Sequence, residues 1–348
     1  MSALRERWNG FLTARIIALE RLERLTAWTR SVLPGPLLSL SPASADASFR
    51  RYFRAVTESG SFVVMDAPPS HEDCRPFLHV ARLFRAAGAN TPEILAENLA
   101  EGFLLLSDFG NTTYLMALSE SNADRLYRDA NQALIRIQAA SRPGELPEYD
   151  AELLMREMRL FPDWYLARHL NVDLSDEQRT VMETAFAAIL ANNLAQTRVY
   201  VHRDWHSRNL MVTEPNPGVL DFQDAVYGPI TYDLASIYKD AYIHWEEERV
   251  LDWVIRYWEA ARRAGLPLTD DFGDFYRDFE WMGVQRHIKV LGIFARLYHR
   301  DGKDGYLKDM PLVMAYLRKA CGRYNGLGDF LRLLDVIEGK AADVGYTF

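Results

Sequence analysis

Residues 201–222 carry polar side chains at spacings that suit the transfer of a phosphoryl group. His202, Asp204 and Asn209 form the pattern H-x-D-x-x-x-x-N, and Asp221 stands near the end of the next apolar segment. Transfer of a γ-phosphoryl group needs a carboxylate that orients and deprotonates the attacking hydroxyl, and oxygen ligands for a Mg²⁺ ion that neutralises the phosphates. Asp204 suits the first role, and Asn209 and Asp221 suit the second. His202 is better placed to brace the loop than to react.

The segments on either side indicate how these side chains are positioned. Apolar residues 199–201 and 210–212 predict two short strands that enclose a polar loop. A turn rich in Pro and Gly then brings the next apolar segment, and with it Asp221, back beside that loop. The alternative is an ordinary polar turn, in which Asp204 and Asn209 cap backbone groups.

At these residues the sequence resembles the aminoglycoside phosphotransferase family, which has a two-lobed protein-kinase-like fold. The resemblance implies that Asp204 is the catalytic base, that Asn209 and Asp221 bind Mg²⁺, and that ATP is the phosphoryl donor. It also implies that Asp233, near the start of a predicted helix, has a structural role and supports this loop. His202 is predicted to brace the same loop.

Three longer stretches, residues 45–54, 63–69 and 285–297, are similar to one subgroup of this family. Its members are bacterial kinases that phosphorylate the anomeric hydroxyl of N-acetylmuramate and N-acetylglucosamine in peptidoglycan recycling. The resemblance extends from about Leu37 to the C-terminus and implies a small amino sugar as the acceptor. Two alternatives stay open: a kinase of aminoglycosides or other small alcohols, and a pseudokinase that binds nucleotide without transferring phosphate.

Length and composition agree with a globular enzyme. A chain of 348 residues with 49% hydrophobic content can form two closely joined lobes. The net charge of -8 gives no support to a nucleic-acid partner. No apolar run is long enough for a membrane span, the N-terminus lacks the apolar segment of a secretory signal, and two cysteines make no disulfide framework. We therefore expect a cytoplasmic protein with no membrane partner and no obligate protein partner.

The order of the predicted elements indicates an α+β fold. Amphipathic helix is predicted in residues 1–33, followed by strands, one helix and further strands up to residue 107, and by mostly helical patterns beyond it. We predict a small β-rich N-terminal lobe that binds nucleotide at residues 1–107. Residues 108–348 are predicted to form a larger, mostly helical lobe that carries the catalytic residues and binds the acceptor.

The predicted nucleotide lobe departs from the family pattern where the phosphates would bind. It contains no lysine, and Met65 or Asp66 stands where the family has its strand lysine. Residues 41–48, which would cover the phosphates, include small residues but no glycine. Arginine can chelate phosphate oxygens instead, although a solvated arginine at a strand edge is the alternative. The candidate nucleotide-binding residues are Ser44, Ser48, Arg51, Arg54, Leu106 and Asp108, with Arg51 favoured over Arg54 for the phosphates.

Candidate acceptor-binding residues combine aromatic and cationic side chains. Aromatic faces stack on sugar rings, and arginine binds carboxylates. Core packing is the alternative for the aromatic residues, and surface ion pairs are the alternative for the cations. The candidates are Trp164, Arg168, His206, Arg208, Arg286 and Lys289.

Overall fold

The structure is a computed structural model that describes residues 19–44 and 50–339. Within these residues it divides into two compact units. The first unit comprises the chain up to Arg85 together with Thr91–Asn111, and the second comprises Ala86–Asn90 together with the chain from Thr112 onward. The predicted lobe boundary between residues 107 and 108 lies close to the second of these divisions and stays a prediction.

The first unit is built on a five-stranded antiparallel sheet. Its strands are β1 (Ser39–Ser44), β2 (Arg51–Thr57), β3 (Gly60–Asp66), β4 (Ile94–Asn98) and β5 (Phe103–Ser107), in the order β1-β2-β3-β5-β4. β2 and β3 form the predicted hairpin, because Thr57 pairs with Gly60 across a two-residue turn. Helix α1 covers residues 19–32, and helix α2 (Cys74–Ala86) follows β3.

One face of this sheet packs against α1. Side chains alternate along a strand, so every second residue of β2, β3 and β5 points to the same face. Leu25 of α1 is fully buried against this face. Its buried partners in the cluster are Phe53, Ala55, Val64, Phe103 and Leu105. Residues 19–32 of the predicted helical segment 1–33 therefore form α1 and cover one face of the sheet. Residues 1–18 of that segment lie outside the described part of the chain.

The second unit is mostly helical. Its short strands form two antiparallel pairs, β6 (Arg198–Val201) with β9 (Val226–Pro229), and β7 (Leu210–Met211) with β8 (Gly218–Val219). Its helices are α3 (Tyr114–Ala117), α4 (Ala123–Ala139), α5 (Ala151–Met158), α6 (Asp176–Leu194), α7 (Tyr232–Tyr238), α8 (Glu247–Arg263), α9 (Phe272–Asp301), α10 (Met310–Arg323) and α11 (Gly328–Ile337). A π-helix spans Phe161–His169, and 3₁₀ turns span Asp304–Asp309 and Asn325–Leu327. Among the described residues, no helix combines the length and the apolarity that crossing a membrane requires.

The helical pattern of residues 151–169 predicts one continuous helix, but the structure divides it into α5 and the π-helix. Pro162 has no backbone N–H to donate, and its ring crowds the carbonyl four residues earlier, so an α-helix cannot continue through it unchanged. The wider turn is completed by a bond from the Leu170 amide to the Tyr165 carbonyl, at 3.0 Å.

Helix α9 runs through the middle of the second unit. It begins after Asp271, whose side chain accepts a hydrogen bond from the Asp274 amide, and ends at Gly302, which has a left-handed φ of 68°. Its central residues are buried although several are polar. Four of these, Gln285, Arg286, His287 and Lys289, are at least nine-tenths buried. A buried charged side chain must be paired or hydrogen-bonded, which directs attention to what these residues contact.

Candidate active site

The polar loop, residues 202–209, lies between β6 and β7 and is tied to α7 by Asp233. The Asp233 carboxylate accepts one hydrogen bond from the His202 amide at 2.7 Å and another from the Arg203 amide at 3.0 Å. Asp233 is completely buried. Burial raises the pKa of this carboxyl to about 7, although both backbone donors and Arg286 act to lower it. The polar loop is therefore fixed at its start by a side chain that reaches no solvent.

His202 has a structural environment. Its Nε2 lies 2.9 Å from the Leu220 carbonyl oxygen, and its ring packs edge-on against Trp205. Complete burial lowers the pKa of this imidazole to about 4, so the ring is neutral at physiological pH. These contacts link the polar loop to the segment that carries Asp221.

Asp204, Asn209 and Asp221 are brought together in space. The Asn209 amide nitrogen donates to the Asp204 carbonyl oxygen at 3.1 Å and to Asp221 Oδ2 at 3.2 Å. Asp221 Oδ1 accepts a third bond from Gln223 at 2.9 Å. Asp221 and Arg203 are two of the three non-glycine residues with positive φ among the described residues, at 61° and 74°. Such backbone conformations cost energy and often mark functional sites.

The donor atoms at Asn209 and Asp221 fit a Mg²⁺ ion. Both hydrogen bonds of Asn209 use its amide nitrogen, so the amide oxygen is the atom left for a metal. Mg²⁺ prefers oxygen ligands and commonly takes one or two from the protein, with phosphate and water in its other positions. The described residues contain no group of three His, Cys, Asp or Glu side chains arranged for a metal. The oxygens of Asn209 and Asp221 would supply two ligands and leave the other positions of the ion to phosphate and water.

Cations surround the carboxylate of Asp204. Burial would raise the pKa of this group, but nearby positive charges outweigh burial and lower the pKa to about 2. In order of decreasing effect, the groups that lower this pKa are Lys289, His206, Arg286 and Arg203. Burial lowers the pKa of His206 below its ordinary value, so the cations at neutral pH are Lys289, Arg286 and Arg203. Asp204 is thus ionised at any physiological pH.

A buried network holds these cations in place. Glu157 pairs with Arg203 at 2.5 Å and with Lys289 at 3.0 Å. Lys289 also donates to the Tyr232 hydroxyl at 2.9 Å, and Arg286 donates to the Arg203 carbonyl at 3.0 Å. Sequence reasoning missed Glu157 and Tyr232. Glu157 had a usable signal, because it occupies a core position of the helical pattern together with the buried Leu154 and Met158.

The remaining acceptor candidates have different environments. His206 and Arg208 belong to the polar loop and contact the ring of Tyr242. Trp164 is partly buried against the main apolar cluster of the second unit, and Arg168 is exposed. The structure therefore brings His206, Arg286 and Lys289 near Asp204 and Arg208 near His206, and the roles of all the acceptor candidates stay predictions.

The two arginine candidates of the first unit both pair with carboxylates. Arg51 donates to the buried Asp66, with its Nε 3.0 Å from Oδ2, on the sheet face that α1 covers. Arg54 forms a two-pronged ion pair with Asp108, at 2.5 and 2.9 Å, and so lowers the pKa of a carboxyl that burial would raise. Leu106 is buried in β5. The side chain of Ser44 and the whole of Ser48 lie outside the part of the chain that the structure describes, and all of these nucleotide assignments stay predictions.

The sequence is similar to known proteins along most of its length. Residues 39–268 match the family described as "Phosphotransferase enzyme family". A Neisseria meningitidis serogroup B protein named N-acetylmuramate/N-acetylglucosamine kinase is 48% identical, over 95% of this chain and 100% of that protein. Proteins of the same name from Pseudomonas aeruginosa and Pseudomonas putida are 51% and 45% identical, over 90% and 92% of this chain and 96% and 98% of theirs.

Solved structures show the same fold at much lower identity. The ADP-bound aminoglycoside phosphotransferase APH(2'')-Ib has a TM-score of 0.55 at 16% identity, over 84% of this chain and 97% of that chain. Choline kinase LicA from Streptococcus pneumoniae has a TM-score of 0.60 at 11% identity, over 86% of this chain and 99% of that chain. These likenesses confirm the predicted α+β, kinase-like fold.

Proposed function

The chain belongs to the phosphotransferase enzyme family, and on this premise we propose that it is an ATP-dependent sugar kinase that phosphorylates the anomeric hydroxyl of N-acetylmuramate and N-acetylglucosamine. The observation that carries the proposal is the identity of 45–51%, over at least 90% of the chain, to three proteins named as kinases of these two sugars. The products are sugar 1-phosphates, and we place the reaction in the cytoplasm, in the recycling of peptidoglycan sugars.

In this proposal Asp204 orients the acceptor more than it removes a proton. A carboxylate whose pKa is about 2 accepts a hydrogen bond from the acceptor hydroxyl but is a weak base. The anomeric hydroxyl is more acidic than an ordinary alcohol because the adjacent ring oxygen withdraws electrons. Placing that oxygen in line with the γ-phosphoryl group is then the main contribution of Asp204.

Asn209 and Asp221 are assigned to the metal that accompanies ATP. A Mg²⁺ ion held by these two side chains would supply positive charge to offset the negative charge of the phosphates during transfer. The Asn209 amide nitrogen donates a hydrogen bond to the Asp221 carboxylate, and this bond holds the two side chains beside each other. Gln223 restrains the other oxygen of Asp221. The protein therefore supplies a positioned pair of ligands.

The test is turnover of a panel of acceptors by the purified chain with ATP and Mg²⁺. The panel contains N-acetylmuramate, N-acetylglucosamine, glucose and an aminoglycoside, with the product identified by phosphorus NMR. We expect sugar 1-phosphate from the two acetylated sugars. Asp204→Asn should reduce turnover at least a hundredfold with an unchanged melting temperature. Asp271→Asn is the matched control, because Asp271 caps α9 and asparagine caps a helix equally well.

Two other results would overturn the proposal. Turnover of the aminoglycoside alone would assign the chain to antibiotic modification. The cations around Asp204 oppose that outcome, because a polycationic acceptor needs an acidic site. ATP binding without phosphoryl transfer to any acceptor would instead indicate a pseudokinase.

A further inference from the structure

The guanidinium group of Arg208 stacks on an aromatic ring and, among the described residues, forms no ion pair with a carboxylate. It lies 3.5 Å from the ring centre of Tyr242 and 5.8 Å from that of Tyr306. Within the described part of the chain, no carboxylate oxygen lies within the 4.0 Å ion-pair distance of Arg208. A guanidinium stacked in this way keeps its edge, which carries the N–H donors, available for an anion.

Hydrogen bonds hold this arrangement in place. Asp240 accepts hydrogen bonds from the Ser207 amide at 2.9 Å and the Ser207 hydroxyl at 2.5 Å. Its other oxygen accepts a bond from the Tyr242 amide at 3.1 Å. Asp240 is almost completely buried, and its hydrogen bonds connect the polar loop to the segment that carries Tyr242. Arg208 and the ring beneath it are therefore positioned before any ligand binds.

Contacts of His206 and Tyr242 connect this guanidinium group to Asp204. The His206 amide donates to the Asp204 carbonyl oxygen at 3.0 Å, and the His206 ring packs edge-on against Tyr242 at 5.5 Å between ring centres. A short chain of contacts thus leads from Asp204 through His206 and Tyr242 to Arg208. A single sugar ring that presents its anomeric hydroxyl to Asp204 would have its other substituents in this neighbourhood.

Two buried polar atoms near Arg208 have no hydrogen-bond partner among the residues that the structure describes. They are His206 Nδ1 and Asp309 Oδ2. Burial raises the pKa of Asp309, while Arg208 acts to lower it, which places the two side chains near each other. Buried polar atoms without a protein partner usually bond to water or to a ligand. The hydroxyl and amide groups of a sugar are suitable partners.

The two proposed acceptors differ in the one group that a free guanidinium would recognise. N-acetylmuramate carries a carboxylate on its lactyl ether, and N-acetylglucosamine does not. We propose that Arg208 binds this carboxylate and thereby sets the preference of the enzyme for N-acetylmuramate over N-acetylglucosamine. The inference rests on the proposed sugar kinase activity.

The other cationic candidates are less suited to this role. Lys289 is committed to Glu157 and Tyr232, and Arg286 is buried with its Nη1 donating to the polar loop. Arg168 is exposed on the π-helix. Arg208 differs from these candidates because it lies in the polar loop and stacks on an aromatic ring. It also forms no ion pair with any of the described residues.

The test compares the steady-state kinetics of both sugars in the full-length chain. Arg208→Gln should lower kcat/KM for N-acetylmuramate by roughly ten- to a hundredfold through KM, because a charge-assisted bond made in the ground state is lost. The value for N-acetylglucosamine should change less than about threefold. Arg208→Lys should fall between the wild type and Arg208→Gln for N-acetylmuramate, since lysine keeps the charge but not the fork. Arg262→Gln is the matched control, because Arg262 also stacks on a ring, that of Trp258, but pairs with Asp270.

The outcomes separate this inference from the proposed function. If the wild-type chain phosphorylates both sugars and Arg208→Gln affects both equally or neither, the inference fails and the proposed function stands. If the wild-type chain phosphorylates neither sugar, both fail. A selective loss of N-acetylmuramate in Arg208→Gln, with Arg262→Gln unchanged, supports both.

Discussion

Lys289 and Glu157 form a buried ion pair, with 3.0 Å between Nζ and Oε1 and 7% of each side chain exposed. Lys289 belongs to the centre of α9, and Glu157 belongs to α5. Glu157 also pairs with Arg203, the residue before Asp204. The pair therefore joins α5 and α9 beside Asp204, and Lys289 and Arg203 both lower the pKa of that carboxyl.

Replacing Lys289 should affect both stability and pH dependence. Among the described residues, Lys289→Met leaves Glu157 with Arg203 as its one cationic partner, so we expect the free energy of unfolding to fall by about 3 kcal/mol in denaturant titrations. Lys289 is also the strongest of the charges that lower the pKa of Asp204. Without it that pKa rises, so protonation inactivates the variant at a higher pH than the wild type.

The measurement is the ratio of kcat/KM between variant and wild type from pH 8 to pH 4. The wild-type Asp204 stays ionised until the pH approaches about 2, so it contributes no acid limb in this range. The ratio should fall as the pH is lowered. A ratio that stays constant would show that Lys289 does not control the charge of Asp204. Titration of ATP itself is common to both proteins and cancels in the ratio.

The family, the fold class and the strands around the polar loop were predicted from sequence because their signals are local. H-x-D-x-x-x-x-N lies between two short apolar runs, and β6 and β7 form there. The match to the phosphotransferase family and the relatives at 45–51% identity confirm the resemblance that this pattern and residues 285–297 indicated.

The partners of the polar loop were not predicted because they come from distant parts of the chain. Along the sequence, Glu157 and Asp240 look like ordinary acidic residues. Only in the folded chain does Glu157 reach Arg203 and Asp240 reach Ser207. The lack of a lysine in the first unit favours Arg51 as a phosphate ligand. Arg51 pairs instead with Asp66 in the structure, and that pairing could not be predicted because it depends on the register of β2 against β3. A sequence reports spacing along the chain, but not which charges meet across it.

Removing the carboxylate of Asp221 should weaken metal binding without unfolding the protein. Asp221→Asn replaces an anionic ligand by a neutral one, so we expect the affinity for Mn²⁺ in the presence of ADP to fall at least tenfold. Isothermal titration calorimetry measures this affinity directly. Asp204→Asn is the control, because Asp204 is assigned to the acceptor and its loss should leave the affinity for Mn²⁺ within about threefold. Equal losses in both variants would contradict the division of roles between these residues.

Asp66 should be important for the stability of the first unit. Its buried carboxylate pairs with Arg21 of α1 at 2.6 Å and also with Arg51 of β2. Asp66→Asn would leave Arg51 without a charge partner among the described residues and Arg21 with Glu101 alone, at 3.9 Å, so we expect a loss of about 2 kcal/mol in the free energy of unfolding. Asp73→Asn removes an exposed pair with Arg75 and should change stability little. Equal effects of the two substitutions would show that the ion pairs of Asp66 do not stabilise the first unit.

A close approach of two backbones predicts a strong effect at Gly292. A Cβ added there would lie 2.5 Å from the Leu160 carbonyl oxygen and 2.6 Å from the Leu160 Cβ, at the residue before the π-helix. Alanine favours helix by up to about 1 kcal/mol over glycine, but this contact can be relieved only by moving α9 away from Leu160. We expect Gly292→Ala to lower the free energy of unfolding by about 1–3 kcal/mol and to reduce activity, because Arg286 and Lys289 are carried by the same helix.

Gly322→Ala is the matched control for this prediction. Gly322 lies in α10, and a Cβ there would meet the Leu331 side chain at an ordinary contact distance of 3.6 Å. The helix propensity of alanine should then act alone and leave the protein equally stable or slightly more stable. If both variants gained stability, α9 would be free to shift, and the position of its buried cations beside Asp204 would not depend on its contact with Leu160.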